Sequence, residues 1–218
     1  MAEREEIPIP REERMSETAG SRFAFRRCGA DVRIFPWVRV VSPETISIGD
    51  SVIIDDFVFL MGGEDTRIGS FVHLASFSCF VGGGRLVLED FAGISSGCRV
   101  YTGNDNYLGE SLTGPTVPPP FRVAERSFVH VGRHAVVGAN TVILPKVTIG
   151  EGCAIGANSF VKSDCEPWTI YVGSPARPVR SRRRDRILEL ETELRRTLYD
   201  ASGHYIPQSA RPPVSSPG

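Results

Sequence analysis

One apolar residue returns every six positions from Val131 to Val161, through Val137, Ile143, Ile149 and Ile155. Four of the row are followed at once by glycine, at Gly132, Gly138, Gly150 and Gly156. An α-helix repeats near 3.6 residues and a strand near 2, so a sustained six fits neither alone. Six is the period of a parallel β-helix, in which each hexapeptide supplies one short flat strand and one corner.

The same count continues upstream in triplets: Cys28, Ile34, Val40; Ile48, Ile54, Leu60; Ile68, Leu74, Phe80; Leu88, Ile94, Val100. Within a triplet the step is six, and between triplets it is eight. The extra residues fall in turn-prone segments, Gly62-Gly63 and Gly82-Gly83-Gly84. Three faces per coil, with one corner longer than the others, accounts for both steps and gives about six coils. A second row follows four positions after each apolar residue and is small or β-branched: Val52, Val72, Ser78, Ala92, Cys98, Ala135, Thr141, Cys153, Ser159 and Cys165. A narrow prism admits one large side chain per face and a small one near the corner, because interiors are close-packed. Three of the five cysteines are thereby read as core filler. They are dispersed, with no CxxC pair, so neither a zinc site nor a disulfide framework is expected, and the compartment is read as reducing and cytoplasmic.

The register fails once. From Leu88 the next coil is due near position 108 and arrives at Val131, a surplus of about 23 residues in the segment 101–128. Loops beyond about 12–15 residues inside a compact fold are uncommon and often functional. The segment leaves from the long corner and is expected to protrude over a binding site. The expected organisation is a mobile tail over 1–22, an all-β parallel β-helix over 23–180 with its insertion at 101–128, a helix within 181–201, and a disordered tail over 202–218. The helix is read from Ile187, Leu188, Leu190, Leu194 and Leu198 on one side. A net charge of −1 gives no reason to invoke nucleic acid, and no apolar stretch is long enough for membrane insertion.

The runs VGANTVILPKVTIG, IGEGCAIGANSFVKSD and VGSPARPVR resemble the hexapeptide-repeat acyltransferases, over about Cys28–Arg180. The nearest likeness is to galactoside, maltose and antibiotic acetyltransferases and their relatives in surface-polysaccharide assembly. The resemblance implies a left-handed helix, a homotrimer, and acetyl-CoA held in a groove between subunits beside the late coils. By motif position Ala139 and Ala157 match pantetheine-lining sites, Lys162 and Ser163 follow in the same groove, and Arg180 matches a phosphate-binding arginine. Arg177, Arg182 and Arg183 would add positive charge.

Galactoside-type members carry a general-base histidine after a Thr-Gly pair at the end of this strand. Here Thr102-Gly103 is followed by Asn104 and Asp105. Two replacements present themselves. Asp105 can orient an amine or, if burial raises its pKa, accept its proton; Gly-Asn-Asp-Asn is also turn chemistry. His73, read at a corner of the third coil, carries an imidazole suited to proton transfer at neutral pH, and across a trimer it could face Asp105 of another subunit. His130 and His134 are read as exposed corner residues, and no metal site is expected. A neutral amine needs less base than a hydroxyl, which favours N-acetylation of an amino sugar, nucleotide-linked, over O-acetylation of a sugar or transfer to a small non-sugar acceptor.

Overall fold

The computed structural model describes residues 22–211. It is a parallel β-helix of six coils, triangular in section, with three sheets as its faces. The first face stacks Arg27–Cys28, Ile46–Ile48, Asp65–Ile68, Arg85–Leu88, Phe128–Val131 and Val147–Ile149. The second stacks Arg33–Ile34, Ile53–Ile54, His73–Leu74, Gly93–Ile94, Val136–Val137 and Ala154–Ile155, and is extended by Thr169–Val172. The third stacks Arg39–Val41, Phe59–Met61, Cys79–Val81, Arg99–Tyr101, Val142–Ile143 and Phe160–Val161. Register is strict: Ile54 lies over Ile34, Leu74 over Ile54, Ile94 over Leu74, Val137 over Ile94, and Ile155 over Val137.

Both sequence rows point inward. From Ile34 onward every member of the six-step row is buried, and so is every member of the small row, including Cys98, Cys153 and Cys165. Burial pushes the Cys98 thiol up, as expected of a cysteine acting as an apolar filler. The buried hydroxyl of Thr102 donates to the Val81 carbonyl at 3.1 Å and accepts from the Gly84 amide at 3.1 Å. Among the described residues no buried side-chain nitrogen or oxygen lacks a partner.

Corners require left-handed backbone, and the residues that supply it differ between the edges. At the edge from the first to the second face these are Asp31, Ser51, Phe71, Phe91 and His134, with φ from 54° to 62°. At the edge from the second to the third they are Phe57, Phe77, Gly97, Asn140 and Asn158. A bulky side chain at positive φ is costly, by roughly 1–2 kcal/mol. Each phenylalanine is stacked on its counterpart one coil away, Phe57 on Phe77 at 5.1 Å and Phe71 on Phe91 at 4.8 Å between centroids, which offsets part of that cost.

The helix α1 spans Asp185–Leu198. It lies along the Phe71–Phe91 edge, but its docking face differs from the sequence expectation. Leu190 is exposed, and the one buried residue of the helix is Glu191. Its carboxylate accepts from His134 at 2.7 Å, Arg195 at 2.7 Å and Arg133 at 3.3 Å. His134, expected to be exposed, is therefore buried beneath the helix. A carboxylate can occupy this place because three donors surround it, whereas Leu190 is rotated about a quarter turn away.

Beyond α1 the chain continues down the same edge. Tyr199 and Tyr205 pack their rings against Phe71, and the Tyr205 hydroxyl donates to Asp31 at 2.9 Å. The segment expected to be disordered from 202 is thus laid against the body as far as Arg211. The expected N-terminal tail lies, apart from Arg22, outside the described residues.

Burial pushes the Glu191 carboxyl up, but hydrogen bonds from Arg195 and His134 and the charges of Arg133 and Arg195 outweigh it and leave the carboxyl below its usual range. Replacing Glu191 with alanine should cost on the order of 2 kcal/mol, less than a fully buried pair because Arg133 and Arg195 are partly exposed. A carboxyl depressed in the folded state stabilises above its unfolded value, about 4.3, and that contribution is lost as pH falls through the folded value. Thermal melts of wild type and Glu191→Ala should differ most near neutral pH and converge in acid.

Candidate active site

The long corner, from third face to first, carries Gly62-Gly63, then Gly82–Gly84, then Thr102-Gly103, one coil above another. A Cβ at Gly82, where φ is +117°, would run into the backbone of Gly103 in the next coil, so this close approach needs glycine. At that level the chain leaves the prism. Gly103–Asp105 pairs antiparallel with Ala124–Arg126, making a two-stranded neck, and the residues between them project outward. Tyr107, Leu108, Leu112, Phe121 and Val123 on this projection are all exposed.

Asp105 sits in the neck and secures the loop. One carboxylate oxygen accepts from the Gly114 amide at 2.9 Å and the other from Arg122 Nε at 2.6 Å. The Gly114 amide, then the Arg122 guanidinium, hold its carboxyl below the usual range. That is the opposite direction from the one a general base needs. Asn104 pairs with Glu125 across the neck, and among the described residues its side chain has no hydrogen-bond partner.

His73 lies on the second face, within the strand His73–Leu74, and not at a corner as the sequence suggested. Its Nε2 is 2.9 Å from Asp55 Oδ2 of the coil below, so within one chain its orienting carboxylate is Asp55. Asp105 leaves the prism from a different edge, and the structure does not bring the two together in one chain. Beside His73 is a cavity of about 320 Å³ lined by Ala75, Gly93, Ile94, Ser95, Ser96 and Val136. The opening exists because Gly93 stands in the outward row between His73 and Val136: a Cβ there would meet only Val136, at 3.8 Å. Ser95 and Ser96 were not singled out from the sequence. The signal available was their place just after inward-facing Ile94, where the coils below carry Asp55-Asp56 and Ala75-Ser76.

The residues matched to the coenzyme groove fall at the far end of the prism. Ala139 and Ala157 occupy equivalent places in successive coils, joined by the Asn158 amide donating to the Ala139 carbonyl at 2.8 Å. Lys162 and Ser163, with Asp164, Cys165 and Arg177, line a second cavity of about 200 Å³. Arg180 is exposed on the strand Arg177–Ser181 and does not line it. Arg182 is turned inward and donates to the carbonyls of His134 and Gly152 at 2.8 and 2.9 Å, so it fastens the chain end to the prism. The exposed cations Lys162 and Arg177 and the small Ala139 and Ala157 fit an extended, phosphate-bearing thiol ester. Among the described residues there is no cluster that could hold a metal ion, and no helix is long and apolar enough to cross a membrane.

A prism of hexapeptide coils with one projecting loop defines a class, and comparison with known proteins agrees. Residues 128–163 match the family profile described as bacterial transferase hexapeptide (six repeats), and the chain belongs to the hexapeptide-repeat acyltransferases. It is 37% identical over 169 residues to the dTDP-4-amino-4,6-dideoxy-D-glucose acyltransferase of Escherichia coli, covering 77% of this chain and 88% of that one. Among solved structures, a variant of the N-acyltransferase AntD from Bacillus cereus, in complex with dTDP-4-amino-4,6-dideoxyglucose and coenzyme A, gives a TM-score of 0.74 at 39% identity, covering 80% and 92% of the two chains. AntD with dTDP and 3-hydroxybutyryl-CoA gives 0.73 at 40% identity, covering 78% and 89%. AntD has been solved with a serine altered and with an aspartate altered, ten residues apart.

Asp105→Ala should release the projecting loop without unfolding the prism. Hydrogen exchange at the Gly114 amide should quicken at least tenfold, while the amides of the second face keep wild-type protection. In wild-type protein that protection should persist below the usual aspartate range near pH 3.9, because the folded carboxyl is depressed.

Proposed function

We propose that the protein transfers an acyl group from acyl-CoA to the amine of a nucleotide-linked amino sugar. The observation that carries this reading is the similarity to AntD, at 39% identity over 80% of the chain, in a complex that holds such a sugar together with coenzyme A. The spacing of chemical groups supports it. Ser95 precedes Asp105 by ten positions, as the serine altered in AntD precedes the aspartate, and no other serine of the described residues is followed ten positions later by an aspartate.

In this reading the second-face cavity receives the amino sugar. His73, oriented by Asp55, and the Ser95 hydroxyl hold the amine, and charged Asp105 attracts it while still an ammonium. Asp105 reaches this amine from a neighbouring subunit, since within one chain it leaves the prism at a different edge from His73, and Asn104 stands beside it in the neck. The ammonium first gives one proton to solvent, and the thioester supplies an activated acyl carbon: the C–N bond forms as the C–S bond breaks, and the leaving thiolate takes up the second proton lost by nitrogen. A strong base is then unnecessary, which accounts for Asn104-Asp105 where galactoside-type enzymes carry histidine. Ala139 and Ala157 allow the pantetheine arm to approach the backbone, while Lys162, Ser163 and Arg177 take the phosphate end, with Arg180 nearby on the same strand. Acetyl-CoA is the proposed donor, with 3-hydroxybutyryl-CoA as the alternative that the AntD complex brings forward.

We further place the protein as a homotrimer in the cytoplasm, acting in surface-polysaccharide assembly. The exposed apolar loop side chains and the five free thiols support assembly and a reducing compartment respectively. O-acetylation of a sugar hydroxyl is the second reading, favoured by the His73–Asp55 pair, which has the geometry of a base and its orienter.

Thiol release from acetyl-CoA should require a dTDP-linked amino sugar and be absent with the corresponding hydroxy sugar. His73→Ala or Ser95→Ala should lower kcat at least tenfold with the trimer mass unchanged in light scattering. Turnover of the hydroxy sugar in preference to the amine would establish the second reading, and full activity of both variants would remove the cavity from the mechanism. Ala157→Leu should weaken CoA binding at least tenfold in calorimetry without altering the fold.

A further inference from the structure

Two aromatic ladders run along the prism, and they are treated differently. On the edge between first and second faces, Phe71 and Phe91 are continued by His134, stacked on Phe91 at 4.9 Å, and the ladder is covered by Tyr199, Tyr205 and Arg195. On the edge between second and third faces, Phe57 and Phe77 lie nearly parallel, 10° apart, and nothing among the described residues covers them. They are 54% and 59% exposed, and Trp37, one coil below, is 68% exposed. Three large rings in a row facing solvent call for an occupant.

The ladder ends at a built gap. The next coil places Gly97 at this corner, with φ +74°, so no ring stands on Phe77. One coil further, the Asn140 side chain bends over Gly97, its Oδ1 where a Cβ of residue 97 would be. Arg99 braces the step by donating to the carbonyls of Phe77 and Gly97 at 2.7 and 2.8 Å, which also puts a cation at this corner. The result is a flat apolar floor with an amide above it, and the amide can both donate and accept. Van der Waals contact needs about 3.5–4.0 Å between a planar ring and the floor, while coils repeat at about 4.8 Å. The step is also contiguous with the second-face cavity, because Ser96, which lines that cavity, immediately precedes Gly97.

We propose that Phe77, backed by Phe57, is the stacking platform for the nucleobase of the acceptor, with the base edge turned toward Asn140. The inference rests on the reading that the acceptor is a nucleotide-linked sugar, and it adds which part of the protein reads the nucleotide. A pyrimidine fits the single-ring step, and a base lying there leaves the sugar end directed along Ser96 and Ser95 into the cavity. Asp55 and Asp56 are the acidic groups nearest on this edge; Asp55 is engaged by His73, and Asp56 accepts from the Trp37 amide at 2.8 Å.

The test uses the full-length protein and binding of dTDP alone, so that it reads the platform whatever the reaction proves to be. Phe77→Ala should weaken dTDP binding about tenfold or more, the scale of one base on one aromatic ring, and Phe77→Leu should recover only part of it because it restores bulk without a π face. Affinity for coenzyme A and the assembly mass should not change. In turnover, KM for the nucleotide-linked amino sugar should rise by the same factor with kcat nearly constant, and the amino sugar 1-phosphate, which has no base, should react equally with wild type and variant. Absence of dTDP binding to wild type, or equal affinity in Phe77→Ala, would overturn the platform. So would a fall in assembly mass, since that would make the ladder a contact between subunits. Failure of acyl transfer with dTDP binding and its Phe77 dependence intact would count against the proposed reaction and leave the platform standing.

Discussion

Everything in this molecule depends on a stacking constraint: like residues must lie over like residues along the axis of a prism too narrow for exceptions. Ile34, Ile54, Leu74, Ile94, Val137 and Ile155 form one such column, joined coil to coil by parallel hydrogen bonds. A shift of one position would turn the whole column outward, because strand side chains alternate. The inner positions therefore leave little freedom, and variation is confined to the outward rows and corners. The cavity beside His73 comes from one such outward position, where glycine replaces a side chain between His73 and Val136.

The same constraint explains why the insertion is where it is. A loop of this length cannot interrupt a face without breaking the column, so it leaves at the long corner, already widened by glycines in the two coils below. Its neck is closed by strand pairing and by Asp105, whose carboxylate is committed to Gly114 and Arg122. The residue that the family resemblance put forward for chemistry is in the free chain a device for holding a loop in shape. The two roles are compatible if a fixed negative charge, and not a proton acceptor, is what the reaction uses.

The prism was legible in the sequence because its rule is local: a residue's burial follows from its place in a six-step count. The two rows, the six coils and the exit point of the insertion all came from that count. What escaped it was set by contacts between residues distant in the chain. Nothing near Glu191 marks it as the docking residue of α1, since its partners Arg133 and His134 lie almost sixty positions earlier. His73 could be singled out by residue type, but Asp55 as its partner and Ser95 as its neighbour appear only once successive coils are superposed. Arg182 read as one more cation in a basic run, and only the fold shows it turned inward to three carbonyls.

The chain end that runs from Arg182 through α1 to Tyr205 touches the prism at successive levels: Gly152, His134, Asp90, Phe71 and Asp31. Solenoids ordinarily hold together by nearest-neighbour contacts and can lose or gain a repeat at modest cost. Here the strap works as a ruler. Deleting or duplicating a coil would leave Glu191, Arg195 and Tyr205 out of step with their partners, so the number of coils is fixed by a segment that belongs to none of them. The first coil is likewise tied, through Asp31, to Tyr205, Gln208 and Arg211, which makes the array a closed cooperative unit whose coils cannot fray independently.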